Sequence, residues 1–338
     1  MKVSPVQALD ILLNGGIVAL PTETVYGLAG SAFDYQALEK IFKVKQRPLF
    51  DPLIVHIGSK SQVFKVVEHW PLYCQKLADT FWPGPLTIIT AKHADIGPLV
   101  TADQPNVAVR MPQNSLFLEL ANAVGPLAAP SANRFGKTSP TTADHVESEF
   151  SGQVPVVDGG DCEVGIESTI IRISELADGT LSVLILRPGA ISETDILNCL
   201  SIYYKKLEVS YGTSKDSPGS LNNHYQPDFP LVIAQNSIRW NEALHKEICA
   251  SLKIKETAKP VFWDFSSNDP LIVARTLYKE MREKSNELKA GSYILLNLPI
   301  AYTKPRWVAI KDRIDKSCTA KIKKIAGLPQ IFIKNKAL

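Results

Sequence analysis

Short apolar runs alternate with helically spaced segments along most of this chain, and that alternation leaves few folds open. Residues 17–20, 53–57, 86–90, 107–109, 127–129, 154–157, 169–173 and 183–186 each have the length and bulk of a buried strand. Helical spacing is predicted over 4–14, 35–45, 60–68, 71–81, 115–123 and 141–149. In the first of these Val6, Leu9, Leu12 and Leu13 share a face, and Gly15-Gly16 supplies the stop. Strands mixed with helices in this order predict an α/β domain with a large mixed sheet. One more helical stretch follows Pro188-Gly189, and then the pattern loosens.

Residues 210–230 carry Gly212, Ser214, Ser217, Pro218, Gly219, Ser220, Pro227 and Pro230, the composition of a linker. Beyond it a strand is predicted at 231–234, a helix at 239–253, a strand at 261–265 and a helix at 270–287. A strand at 293–297 and a helix at 306–325 complete what reads as a small, doubly wound second domain. The predicted division is 1–200, a linker over 201–230, and 231–338. A length of 338 residues with 45% hydrophobic and 21% charged content suits two packed domains. No apolar run approaches the roughly 20 residues that span a bilayer, and residues 1–5 lead into an amphipathic stretch without a signal-peptide core. A soluble cytoplasmic protein is the expectation. Cys74, Cys162, Cys199, Cys249 and Cys318 are scattered without a CxxC pair and read as buried thiols.

Charge is unevenly spread. Residues 1–230 hold 17 Lys+Arg against 24 Asp+Glu, whereas 231–338 hold 20 against 10. The basic second part reads either as a surface for RNA or an acidic partner, or as a solvated lysine-rich face.

Polar residues with chemical potential gather at strand ends, where α/β sheets place ligands. Pro21-Thr22-Glu23-Thr24-Val25-Tyr26-Gly27 follows the first strand and reads as a ligand loop or a capped helix start. Lys45-Gln46-Arg47-Pro48, with Asp51 and His56 beyond, pairs a point charge with a planar fork. That suits a polyphosphate, or else complements a helix dipole. Ser131-Ala132-Asn133 offers neutral groups for a carboxylate or phosphate, with Thr141 downstream as a further contact or a helix cap. Glu167-Ser168-Thr169 enters a strand, while Arg110-Met111-Pro112 and Arg187-Pro188-Gly189 leave others. Lys45, Arg47, Arg110 and Arg187 together predict a cationic cleft for a small polyanion inside an acidic domain. No GxxxxGK[ST], GxGxxG, HExxH or GxSxG motif occurs, and the six histidines are dispersed. From residues alone the reading is a nucleotide or phosphate site working by positioning and electrostatics.

In this order the blocks resemble the threonylcarbamoyl-AMP synthases of the YrdC-like family. Leu20-Pro21-Thr22-Glu23-Thr24-Val25-Tyr26-Gly27-Leu28 is similar to the family's opening signature, and Lys45–Arg47 and Ser131–Asn133 to its KxR and SxN elements. Phe81-Trp82-Pro83-Gly84-Pro85-Leu86-Thr87, Glu167-Ser168-Thr169 and Leu186-Arg187-Pro188-Gly189 match further hallmarks. Ser217-Pro218-Gly219, His224-Tyr225-Gln226-Pro227 and Ala309-Ile310-Lys311-Asp312-Arg313 resemble the linker and second domain of the two-domain form. The resemblance implies a YrdC-like domain with a large twisted mixed sheet and a smaller Rossmann-like α/β domain.

It also implies an activity: L-threonine, bicarbonate or CO2, and ATP to threonylcarbamoyl-AMP and pyrophosphate, with Mg2+ on the phosphates. The product would supply modification of the tRNA adenosine next to the anticodon, with contact to tRNA or to the tRNA-threonylcarbamoyl-transferase complex, and with no membrane involved. Lys45, Arg47, Ser131 and Asn133 would form the catalytic centre. Thr24, His56, Arg110, Ser131 and Ser168 would contact threonine. Lys45, Arg47, Asp51, Asn106, Asn133, Thr141, Arg187 and the lid residue Tyr225 would face ATP. Three departures stand out: Asp51 where asparagine is common, Asn114 where histidine is frequent, and a 219–223 segment lacking two expected positive charges. The rival readings are an RNA-binding module, the related carbamoyltransferase of hydrogenase maturation, and an inactive paralogue.

Overall fold

The computed structural model describes residues 1–214, 217–218, 224–235, 238–257, 259–289, 291–299, 307–325 and 328–334. The chain divides into two compact units. The first is Met1–Phe135 with Ser139–Ser220; the second is Gly136–Thr138 with Leu221–Leu338.

The first unit is built on a mixed sheet of nine strands among the described residues. They are β1 (Val18–Leu20), β2 (Gly27–Ser31), β3 (Ile54–His56), β4 (Leu86–Ala91), β5 (Asn106–Arg110), β6 (Leu127–Ala128), β7 (Thr169–Glu175), β8 (Leu181–Arg187) and β9 (Leu207–Tyr211). Their order across the sheet is β1-β2-β6-β3-β5-β4-β7-β8-β9. The pairs β3/β5, β4/β7 and β8/β9 are parallel and the others antiparallel.

Helices α1 (Pro5–Leu13), α2 (Tyr35–Lys45), α3 (Leu72–Phe81), α4 (Pro98–Thr101), α5 (Ser115–Val124), α6 (Ala143–Phe150) and α7 (Glu193–Leu200) complete the unit. Helix α1 starts at a capping box in which Ser4 accepts from the Gln7 amide and Gln7 accepts from Ser4, with Pro5 at the first turn. Its buried Ala8 and Leu12 join Phe117, Leu120 and Ala121 of α5 in one cluster. A larger cluster runs from Val55 and Ile57 through Leu77, Ile88 and Val109 to Ile171, Val183 and Ile196. The five cysteines are free and buried.

In the second unit five strands are described: β10 (Leu231–Gln235), β11 (Pro260–Trp263), β12 (Tyr293–Leu298), β13 (Ala320–Ile325) and β14 (Leu328–Ile333), in the order β11-β12-β10-β13-β14. The first four run parallel and β14 is antiparallel to β13. Helices α8 (Glu242–Leu252), α9 (Pro270–Asn286) and α10 (Val308–Ser317) alternate with them.

The structure corrects four expectations. Residues 27–31, where no strand was expected after the loop that ends at Gly27, form β2. Residues 154–157 form no strand; Val156 only bridges Lys2 and Ala19. Residues 207–211, read as linker within 201–230, pair with β8 as β9 of the first sheet. The helix predicted over 306–325 stops at Ser317, and Ala320–Ile325 forms a strand that buries Ala320 and Ile322. The 219–223 departures lie outside the described residues.

Candidate functional site

Helix α2 carries the KxR element, and glycine sets its seat. A Cβ at Gly30 of β2 would lie 3.2–3.3 Å from side-chain atoms of Ala37, Ile17 and Ile41, tighter than ordinary contact, so glycine favours the close packing of α2. Asp34 caps its start by accepting from the Gln36 and Ala37 amides. It ends at Gln46, whose φ of 53° turns the chain sharply. The turn buries Lys45 and Arg47.

The Lys45 amine donates to the carbonyl oxygen of Ser131 at 2.6 Å and to that of Asn133. Burial, and then the Arg47 charge, hold this amine well below the ordinary lysine range. The SxN segment is anchored on its other side by the Gly27–Ser131 bridge and by the Ala132 amide donating to the Tyr26 carbonyl at 2.7 Å. Asn133 donates from its amide group to the Arg134 carbonyl. Arg47 donates to the carbonyls of Asp51 and Pro52 at 3.0 and 2.7 Å and pairs with the Asp51 carboxylate at 2.9 Å, both side chains buried.

A second cluster forms where β3 and β5 end side by side, with His56 in register with Arg110. Arg110 donates from Nε to the Gly84 carbonyl at 3.2 Å and from Nη1 to Thr24 Oγ1 at 3.0 Å. Its Nη2 stands 2.8 Å from Glu23 Oε1, and Glu23 Oε2 accepts from the Gln113 amide. Thr22 spends its hydroxyl proton on the Val25 carbonyl at 2.7 Å. The 2.8 Å contact between the two threonine hydroxyls is therefore donated by Thr24, whose oxygen is left to accept. Burial first, and then Arg110, hold His56 well below the usual histidine range. A neutral ring that donates from Nδ1 to the Ile54 carbonyl at 3.2 Å presents Nε2 as an acceptor.

Arg187 orients Ser168, donating from Nε to its carbonyl and from Nη2 to its hydroxyl, each at 3.0 Å. Thr87 meets the same hydroxyl at 2.7 Å. Glu167 accepts from Ser139 at 2.6 Å and so ties the strand entry to the loop beyond SxN. Thr141 is buried beside His145 at 3.3 Å. The cap of α6 is Thr142, which accepts from the His145 amide, so Thr141 does not fill the capping role. Asn114 caps α5 by accepting from the Phe117 amide, a duty that asparagine performs well at that position.

The structure thus joins Thr24 to Arg110, which lies in register with His56, joins Ser168 to Arg187, and joins Lys45 to Ser131 and Asn133 near the Arg47–Asp51 pair. Asn106 is not brought in. It opens β5 opposite Ala91, about 13 Å of strand rise from Arg110 at the other end. Tyr225 belongs to the second unit. It is buried there with φ 62°, 4.2 Å from the His224 ring and under the Arg313 guanidinium at 5.4 Å. Sequence reasoning left Glu23, Thr87 and Ser139 without roles. All three lie in or next to quoted motifs, but their pairing is set only by the fold. Among the described residues no group of three or more His, Cys, Asp or Glu gathers to hold a metal, and Asp51 is engaged with Arg47.

Two family models match the chain in succession, meeting near residue 190, before α7 and β9. A model of the Sua5, YciO and YrdC proteins, described as telomere recombination, matches residues 10–189. A model of the threonylcarbamoyl-AMP synthase C-terminal domain matches 191–319. A threonylcarbamoyl-AMP synthase of Pyrococcus abyssi is 37% identical over 259 residues, 75% of this chain and 74% of that one. One from Bacillus subtilis is 40% identical over 235 residues, 68% of this chain and 66% of that one. The crystal structure of P. abyssi Sua5 complexed with L-threonine superposes with a TM-score of 0.76 at 30% identity, covering 94% of this chain and 96% of that one.

Proposed function

Because the chain belongs to the threonylcarbamoyl-AMP synthase family, within the Sua5/YciO/YrdC proteins, we infer that it condenses L-threonine, bicarbonate or CO2, and ATP. The products are L-threonylcarbamoyladenylate and pyrophosphate, and the adenylate supplies the threonylcarbamoyl group for the tRNA adenosine next to the anticodon. The observation that carries the reading is the buried Lys45 amine. Among the described residues it donates to two carbonyl oxygens and to no carboxylate, so a bound polyphosphate would favour the charged form that burial and Arg47 oppose.

The chemistry asks for little beyond positioning. The threonine amine captures the carbon as a carbamate, whose oxygen attacks the α-phosphorus while pyrophosphate leaves. Both reactants are anions, so aligning them and neutralising their charge lowers the barrier. We assign Lys45, Arg47, Asn133, Thr141 and Arg187 to the nucleotide side, and Thr24, His56, Arg110, Ser131 and Ser168 to threonine. The acceptors Thr24 Oγ1 and His56 Nε2 suit N–H or O–H groups, and Arg110 suits the carboxylate. Arg187 acts partly by aiming Ser168.

Mg2+ is proposed to arrive on the ATP phosphates and to add charge neutralisation there. The basic balance of residues 231–338, 20 cations against 10 anions, supports a proposed contact with tRNA or with the transferase complex. A cytoplasmic setting is proposed with it; no helix among the described residues is long and apolar enough to cross a membrane.

Incubation with ATP, Mg2+, bicarbonate and L-threonine followed by mass spectrometry tests the product. A carbamoylated threonine joined to AMP, appearing only when all the substrates are present, is expected. AMP or ADP without that adduct contradicts the reading.

A further inference from the structure

Two charged side chains at the threonine end of the site are left short of partners by the protein itself. Glu23 and Arg110 are 4% and 3% exposed. Their Oε1 and Nη2 atoms stand 2.8 Å apart as an ion pair. Yet the approach lacks hydrogen-bond geometry, and among the described residues neither atom has a hydrogen-bond partner. The rest of both groups is engaged. Glu23 Oε2 takes the Gln113 amide, Arg110 Nε the Gly84 carbonyl, and Nη1 the Thr24 hydroxyl. Each atom faces the other's charge but makes no aligned hydrogen bond, and buried polar atoms seldom go without one unless something else completes them.

An anionic acceptor and a cationic donor side by side call for a group with the opposite pairing a few ångströms apart. The zwitterionic head of an α-amino acid carries an ammonium and a carboxylate at that spacing. We propose that Glu23 is a further substrate-binding residue, its Oε1 receiving the α-amino group of L-threonine while Arg110 Nη2 takes the carboxylate. The inference rests on reading this cluster as the threonine site.

Glu23 then holds the nitrogen that must attack the carbon. It also makes the site select an amino acid over the corresponding hydroxy acid. Its role is binding and orientation; no proton transfer is assigned to it. Without Glu23 the Arg110 charge would favour any small carboxylate.

Calorimetric binding of L-threonine and of 3-hydroxybutyrate, which is threonine without its amino group, separates the possibilities. It is done with wild type, Glu23→Gln and Glu23→Asp. Glu23→Gln is expected to weaken L-threonine at least ten-fold while binding 3-hydroxybutyrate within two-fold of wild type or more tightly. Glu23→Asp should fall between, and it carries the test if the glutamine variant does not fold. Threonine affinity within two-fold of wild type in both variants overturns the proposal. So does an equal loss for both ligands, which would mean that Glu23 only aims Arg110. If wild type itself binds no L-threonine, the reading of the site fails first.

Discussion

Burial is the main influence on the protonation of Lys45 and His56. His56 is neutral in the fold, held well below its usual range by burial and then by Arg110. In the unfolded chain it takes a proton below about pH 6.5. The unfolded state therefore binds more protons there, and stability falls as pH drops from about 6.5 towards the lower folded value. The slope is about 1.4 kcal/mol per pH unit from this group. His56→Gln should flatten that part of the curve in thermal melts between pH 7 and 5, and an unchanged slope would count against the assignment.

The Arg47–Asp51 pair is vulnerable to loss of one partner, since both side chains are buried. Arg47→Ala strands a buried carboxylate and should cost about 3–5 kcal/mol in denaturant unfolding. Adding Asp51→Asn should recover part of that loss. No recovery would mean that Arg47 stabilises through its carbonyl contacts instead.

At the scale of elements, glycine and capping choices hold the site loops. A Cβ at Gly189 would sit 2.3 Å from the Thr169 nitrogen and 2.6 Å from the Ser168 carbonyl carbon, both backbone atoms. Gly189→Ala should therefore cost about 1–3 kcal/mol and raise the threonine KM more than the ATP KM. Equal effects on both would place the damage outside the Ser168 segment.

The same scale explains what could be read in advance. The strands at 54–56, 86–91 and 106–110 were legible because compact apolar runs mark them, and α2 because its apolar face repeats with helical spacing. The strand at 27–31 was hidden, since Gly-Leu-Ala-Gly-Ser has poor strand propensity and owes its place to close packing under α2. Cys318 turns the chain extended and ends α10, a tertiary choice that alternating lysines and isoleucines in 320–325 did not separate from helix. Site residues were legible as motifs, but Glu23 against Arg110 is a contact across 87 positions that only the sheet creates.

For the whole molecule, the charge balance and the two units go together: an acidic first unit in which Lys45, Arg47, Arg110 and Arg187 are buried, and a basic second unit with its own mainly parallel sheet. Nine paired strands and their own clusters equip the first unit to keep its fold when residues 212–338 are removed. The truncated chain is expected to fold yet to lose activity. Unchanged kinetics would leave the second unit a partner-binding role alone.

The central claim is that the buried cations of the first unit drive adenylation of a carboxylated threonine. Pyrophosphate release tests it most directly, measured with ATP and Mg2+ while L-threonine and bicarbonate are each omitted in turn, and repeated with Lys45→Ala. Release that needs both co-substrates and vanishes in the variant is the predicted result. Release indifferent to threonine, or near-normal turnover without Lys45, would contradict the account.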